Sequence, residues 1–154
     1  MLNPLLNVNK RKLSSTYLIL KTHDESSRKN KIDSIFKDAK REISGLKAIA
    51  VVETETGLAH GFYKVESDFD IESACAYNTE VLKSNIRTMK ALNVKNESIG
   101  ELCMDLTSQT HFIKPMLNNE FFICVAINKA SLNLGITRKI INNVSEEIKK
   151  VLNV

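Results

Sequence analysis

Three histidines and three cysteines are the side chains here best suited to metal binding or nucleophilic chemistry, and their spacing supports neither. His23, His60 and His111 are scattered among a polar segment and two strand-like segments. No HExxH or other His/Cys ligand spacing occurs, so a zinc site has no basis. Cys75, Cys103 and Cys124 fall within apolar patterns and share no CxxC spacing, which fits reduced, buried thiols of a cytoplasmic protein. Cys103 and His111 would make a nucleophile and base if neighbouring strands brought them together, but no carboxylate or amide is marked out to orient the histidine. None of the five glycines stands in a phosphate-cradling order such as GxGxxG or GxxxxGK[ST]. Asp68 and Asp70 precede a helix, where carboxylates cap rather than catalyse. The sequence offers no catalytic, cofactor-binding or metal site.

A chain of 154 residues suits one domain with a sizeable core. Its hydrophobic fraction of 43% and charged fraction of 26% are ordinary for a globular protein. No apolar run is long enough to span a bilayer, and the first residues place their positive charge after a short apolar segment, the reverse of a secretory signal. The net charge of +4 is unevenly spread. Residues 1–31 hold seven Lys/Arg against Asp24 and Glu25, whereas residues 32–154 hold fifteen basic and sixteen acidic residues. The basic character belongs to the leader, so specific nucleic-acid binding by the body is not expected. The leader is expected as an N-terminal extension over 1–31, with a short strand at 15–21 from its β-branched and aromatic content and a polar linker after it. The folded domain is expected over 32–154.

The longest regular element is read at Asp70–Asn93. Ile71, Ala74, Cys75, Val81, Leu82, Ile86, Met89 and Leu92 recur at helical spacing and predict a buried face. Glu72, Glu80, Lys83, Arg87 and Lys90 gather on the opposite face. Between them runs a flank of Asp70, Ser73, Tyr77, Ser84, Thr88 and Ala91 that is small or uncharged except for Asp70, which is expected in the capping region. Such a flank is either a helix edge under a loop or a contact surface for another chain, since interface cores are depleted of charge and enriched in Tyr.

Around this helix the spacing predicts a first helix over Ile32–Ile43 ended by Gly45, a hairpin of strands over Lys47–Glu53 and Leu58–Val65, three further strands over Ile99–Leu106, Gln109–Met116 and Phe121–Ile127, and a last helix over Leu134–Leu152. That order implies an α+β fold: a five-stranded antiparallel sheet with the long central helix on one face and the two terminal helices on the other. The two most apolar strands, the first and the last, should lie side by side at its centre. Ile99–Leu106 is left at an edge, with Leu102, Met104 and Leu106 on one side and Glu101, Cys103 and Asp105 on the other. An eight-residue edge that alternates without Pro or Lys needs covering.

In order and spacing the chain resembles the roadblock/dynein light chain family. The likeness is carried by ISGLKAIAVV at 43–52, Thr56-Gly57, IESACA at 71–76, FIKPM at 112–116, FFICVA at 121–126 and Asn133-Leu134-Gly135. It covers about residues 32–152. The resemblance implies a profilin-like, roadblock-type fold and a homodimer formed through the central helix and the edge strand beside it. It also implies a non-catalytic role as platform or regulator for a small Ras-like GTPase or a motor or scaffold protein. The candidate interface is then Ser73, Tyr77, Ser84 and Thr88 with Glu101, Cys103 and Asp105. The alternative is a small-molecule sensor of PAS-like or GAF-like type, which would need a cavity between sheet and helix.

Overall fold

The computed structural model describes the backbone of residues 4–153 and the side chains of residues 23–153. Its first element, α1 (Pro4–Glu42), is one continuous helix of 39 residues, roughly 58 Å long at 1.5 Å per residue. Pro4 sits at the first position, where a missing N–H costs nothing, and no glycine or proline follows until Gly45. The strand expected at 15–21 and the linker after it are therefore corrected to helix. A short run of β-formers is a weak preference that an uninterrupted helix overrides. The polar stretch even supplies a helical pair, Arg28 to Asp24 across one turn at 3.5 Å. Among the described side chains of α1, burial begins at Ile32 and continues at Phe36, Ala39 and Ile43. Gly45, at φ +77°, ends this element; a Cβ there would lie 2.6 Å from Ser131 Cβ.

The sheet follows in the order β2-β1-β5-β4-β3, antiparallel throughout. Its strands are β1 (Leu46–Glu53), β2 (Ala59–Lys64), β3 (Leu102–Asp105), β4 (Gln109–Met116) and β5 (Phe121–Asn128). The two most apolar strands, β1 and β5, pair at the centre, as their unbroken hydrophobic runs require. Alternation sends Ile49, Val51, Ile123, Val125 and Ile127 to one face, where they pack with α1 and with α3 (Leu134–Leu152). Ala48, Ala50, Val52, Phe122 and Cys124 turn to the other face, under α2 (Ile71–Ala91). A 3-10 turn (Lys129–Ser131), not foreseen from the sequence, joins β5 to α3.

Two boundaries differ from expectation. Leu92 was expected to face inward, yet α2 ends at Ala91 and Leu92, the capping residue, is 70% exposed. The edge strand is four residues, not eight. The β3–β4 ladder pairs Leu102 with Ile113, so its next bonded pair would be Gly100 with Pro115. Pro115 has no N–H to give, and the ladder stops there.

Candidate interaction surface

The histidines are kept apart, and of the cysteines Cys75 and Cys124 come together. His23 lies on α1, His60 on β2 and His111 on β4. Cys103 and His111 do sit on neighbouring strands, but Cys103 pairs with Phe112 and His111 with Met104, so they occupy opposite faces of the sheet. The His60 ring instead stacks edge-on against Phe121 at 5.2 Å. Cys75 and Cys124 meet as free thiols in the core under α2, where each lies close enough to the other to shift its titration. That proximity, with full burial, pushes the Cys124 thiol well above the usual range. Asp70 caps α2 by accepting the Ser73 N–H at 3.0 Å, and bonding to Ser73 holds its carboxyl below the ordinary value. Among the described residues no group of three or more His, Cys, Asp or Glu is placed to share a metal ion.

What remains is a surface. One edge of α2 looks toward the β1–β2 turn: Lys83 Nζ donates to the Glu55 carbonyl at 3.0 Å, and Thr79 lies against Gly57. At 100° per residue the opposite edge, holding Ala74, Tyr77, Val81, Ser84, Asn85 and Thr88, must look toward β4 and β3. No charged side chain stands on it. Two of its polar groups are already engaged within the helix, Thr88 Oγ1 donating to the Ser84 carbonyl at 3.0 Å and Asn85 Nδ2 to the Val81 carbonyl at 2.9 Å. Covering such groups removes little hydrogen bonding to water. Tyr77 projects from this edge with 74% of its surface exposed.

Beside that flank lies the part of the sheet that α2 leaves open. Leu102, Met104 and His111 share its α2-side face by alternation and are half-buried. Phe69 leans toward His111, with ring centroids 6.4 Å apart. Burial, followed by the charge of Lys47, lowers the His111 pKa. The sequence signal for these residues was the alternation at Leu102, Met104 and Leu106; which of its two sides joins the helix flank could not be read from it.

The strand edge beyond them is open in its backbone. Leu106 N–H donates to the Gln109 carbonyl at 2.9 Å and closes the β3–β4 hairpin. Bonded pairs then alternate, so Met104 and Leu102 bond to β4 while the N–H and C=O of Cys103 and Asp105 point away from it. The other edge of the sheet, β2, is less regular, because its register shifts between Val51 and Val52 and irregular edges pair poorly.

The expected interface residues thus fall in two places. Ser73, Tyr77, Ser84 and Thr88 line the exposed side of α2. The side chains of Glu101, Cys103 and Asp105 lie on the α3 side of the sheet. There Glu101 pairs with Arg138 at 2.9 Å, and Asp105 pairs with Lys129 at 2.8 Å and accepts from Thr110 at 3.2 Å. The lysine bond holds the Asp105 carboxyl below its usual range. Cys103, expected to be buried, is exposed on the edge strand; slight desolvation and then the Glu101 charge raise its thiol. The two groups of side chains do not form one patch.

No family model and no curated protein matches the sequence. Solved structures do match the fold. Myxococcus xanthus MglB has a TM-score of 0.66 at 14% identity, over 84% of this chain and 90% of that one. The gliding protein MglB of Thermus thermophilus has a TM-score of 0.70 at 9% identity, over 80% of this chain and 90% of that one. A Roadblock/LC7 domain from Streptomyces avermitilis has a TM-score of 0.65 at 10% identity, over 77% and 94%. The likeness lies in the sandwich of helices and five-stranded sheet.

Proposed function

We propose that this chain, whose fold is that of the Roadblock/LC7 domains, is a dimeric protein-interaction module with no catalytic role. The observation that carries the reading is the coincidence of two unpartnered features. The uncharged flank of α2, with its exposed Tyr77, lies on the same side of the molecule as the open backbone edge of β3. A two-fold contact uses one patch twice, and a patch without charge can meet its own copy without repulsion. One of the structures sharing this fold is described as MglB with a tetrameric arrangement, which supports assembly as a property of the fold. The partner class is a small Ras-like GTPase or a motor or scaffold protein, acting in the cytoplasm; among the described residues no helix is long and apolar enough to cross a membrane.

A sensor reading draws less support. The space under the middle of α2, bounded by Phe69, Asn78, His111 and Cys124, is about 10 Å³; a cleft of about 480 Å³ between the end of α2 and β4, lined by Ile86, Met89, Pro115 and Met116, lies at the rim of the sheet and is open to solvent. Ligand pockets run to several hundred Å³ and bury most of the ligand.

Light scattering at micromolar concentration should return about twice the 17.3 kDa chain mass. A monomer at that concentration removes the dimeric reading. Affinity capture from the native host, with a GTP analogue or with GDP, should recover a Ras-like GTPase in at least one nucleotide state. Recovery of motor or scaffold proteins alone would reject the GTPase arm of the proposal.

A further inference from the structure

We propose that the N-terminal part of α1, residues 4–22, docks on an anionic phospholipid bilayer, lying along its surface rather than crossing it. This goes beyond the protein-interaction reading and does not depend on it.

The helix outruns the body it packs on. Ile32, Phe36, Ala39 and Ile43 form its buried stripe, and none of residues 23–31 is buried. The backbone nevertheless stays helical back to Pro4, roughly 42 Å before Ile32 at 1.5 Å per residue. A helix segment with no body beside it should be polar all round; this one is not. At 100° per residue, Leu5, Leu6, Leu13, Tyr17 and Leu20 take positions within a sector roughly 120° wide. The middle of that sector is turned by roughly 130° from the buried stripe, so the body that covers Ile32 and Phe36 does not cover it.

Charge selects the occupant. Residues 1–22 hold Lys10, Arg11, Lys12 and Lys21 and no acidic residue. All four basic positions fall outside the apolar sector, on the remaining surface with Val8, Leu18 and Ile19. An apolar stripe bordered by Lys and Arg suits a helix lying at the headgroup level of an anionic bilayer, where each basic residue adds attraction to the negative surface. A second copy of the helix fits less well. It would set like charges together with no acid between them, and of a heptad seam only Leu6, Leu13 and Leu20 are apolar, with Asn9 and Thr16 at the positions between. A nucleic acid would use the cations but leave the leucine stripe in water.

The chain contains no tryptophan, so a single introduced one reports its own surroundings. The whole chain carrying Tyr17→Trp, within the apolar sector, or Ser15→Trp, on the far side of the helix, is titrated with two kinds of vesicle. One holds phosphatidylglycerol with phosphatidylcholine, the other phosphatidylcholine alone. The emission of Tyr17→Trp should shift to the blue with the anionic vesicles, that of Ser15→Trp should shift little, and neither should respond to phosphatidylcholine alone. The unaltered chain should sediment with the anionic vesicles, less so as salt rises. Leu6→Gln with Leu13→Gln removes two leucines from the stripe at constant charge and should weaken that binding at least about tenfold. If this double variant fails to fold, the two tryptophan reporters decide alone. Equal shifts at both positions, no shift at either, or binding that survives loss of both leucines overturns the docked helix. Equal binding to both kinds of vesicle overturns the anionic choice. Tighter binding of a single-stranded RNA than of the anionic vesicles overturns the proposal in favour of a nucleic-acid arm.

Discussion

At the scale of single residues, this protein spends its reactive groups on packing. The Cys75 and Cys124 thiols, both free, pack together across the α2–sheet contact, and Asp70 is occupied at the start of α2. Thr54, Gln109, His111 and Ser145 each keep a buried polar atom with no partner among the described residues. Ser145 of α3 is fully buried, and its hydroxyl finds no partner among the described residues. A buried hydroxyl without a hydrogen bond costs roughly 1–3 kcal/mol, and alanine is the better helix former by up to about 0.5 kcal/mol. Ser145→Ala should therefore raise stability by about 1 kcal/mol, read as a higher urea midpoint at unchanged slope. An unchanged or lower midpoint would mean that the hydroxyl is bonded in solution.

At the scale of elements, the fit of α1 onto β2 depends on one missing Cβ. At Gly61 an added Cβ would lie 2.5 Å from Ile32 Cγ2, and this is where α1 first buries a described side chain. Overpacking of this kind costs about 1–3 kcal/mol. Gly61→Ala should lower the urea midpoint accordingly, and a midpoint unchanged within error would show that α1 shifts freely over β2. The same scale shows which features were legible in the sequence. Central strands such as Phe121–Asn128 and the inward face of α3 could be read because burial on both faces, or on one stripe, leaves an unbroken local pattern. The helical state of residues 15–21 could not, because local β preference there is set against the continuity of a helix extending on both sides. The length of β3 was hidden for a different reason. It is decided by Pro115 on the neighbouring strand, and a residue's own pattern says nothing of its partner's missing donor. The candidate surface was half legible: periodicity gave the uncharged flank of α2, but only the contacts of Lys83 and Thr79 with the β1–β2 turn reveal that this flank faces the open edge.

At the scale of the whole molecule, the question is whether that flank meets water or a second chain, and one charge decides it. Thr88 stands on the flank, exposed, its hydroxyl turned back to the Ser84 carbonyl. In an isolated chain Thr88→Glu adds a carboxylate to a solvated helix surface and changes stability by less than about 0.5 kcal/mol. In a two-fold dimer each flank faces its own copy, so the substitution sets two carboxylates into a partly desolvated contact that has no cation for them. The cost there is about 2–4 kcal/mol per dimer, which raises the dissociation constant roughly 30-fold to 900-fold. Light scattering across a dilution series should follow the shift, while the far-ultraviolet circular dichroism stays that of the parent, because the helix itself loses no packing. If the partner recognises the dimer rather than one chain, its binding should fall in step. A Thr88→Glu protein that stays dimeric and keeps its partner removes the α2 flank from the contact. Assembly would then rest on the β3 edge, its Cys103 and Asp105 backbone with the half-buried Leu102 and Met104 beside it, because a strand pair of four residues a side needs an apolar surface next to it.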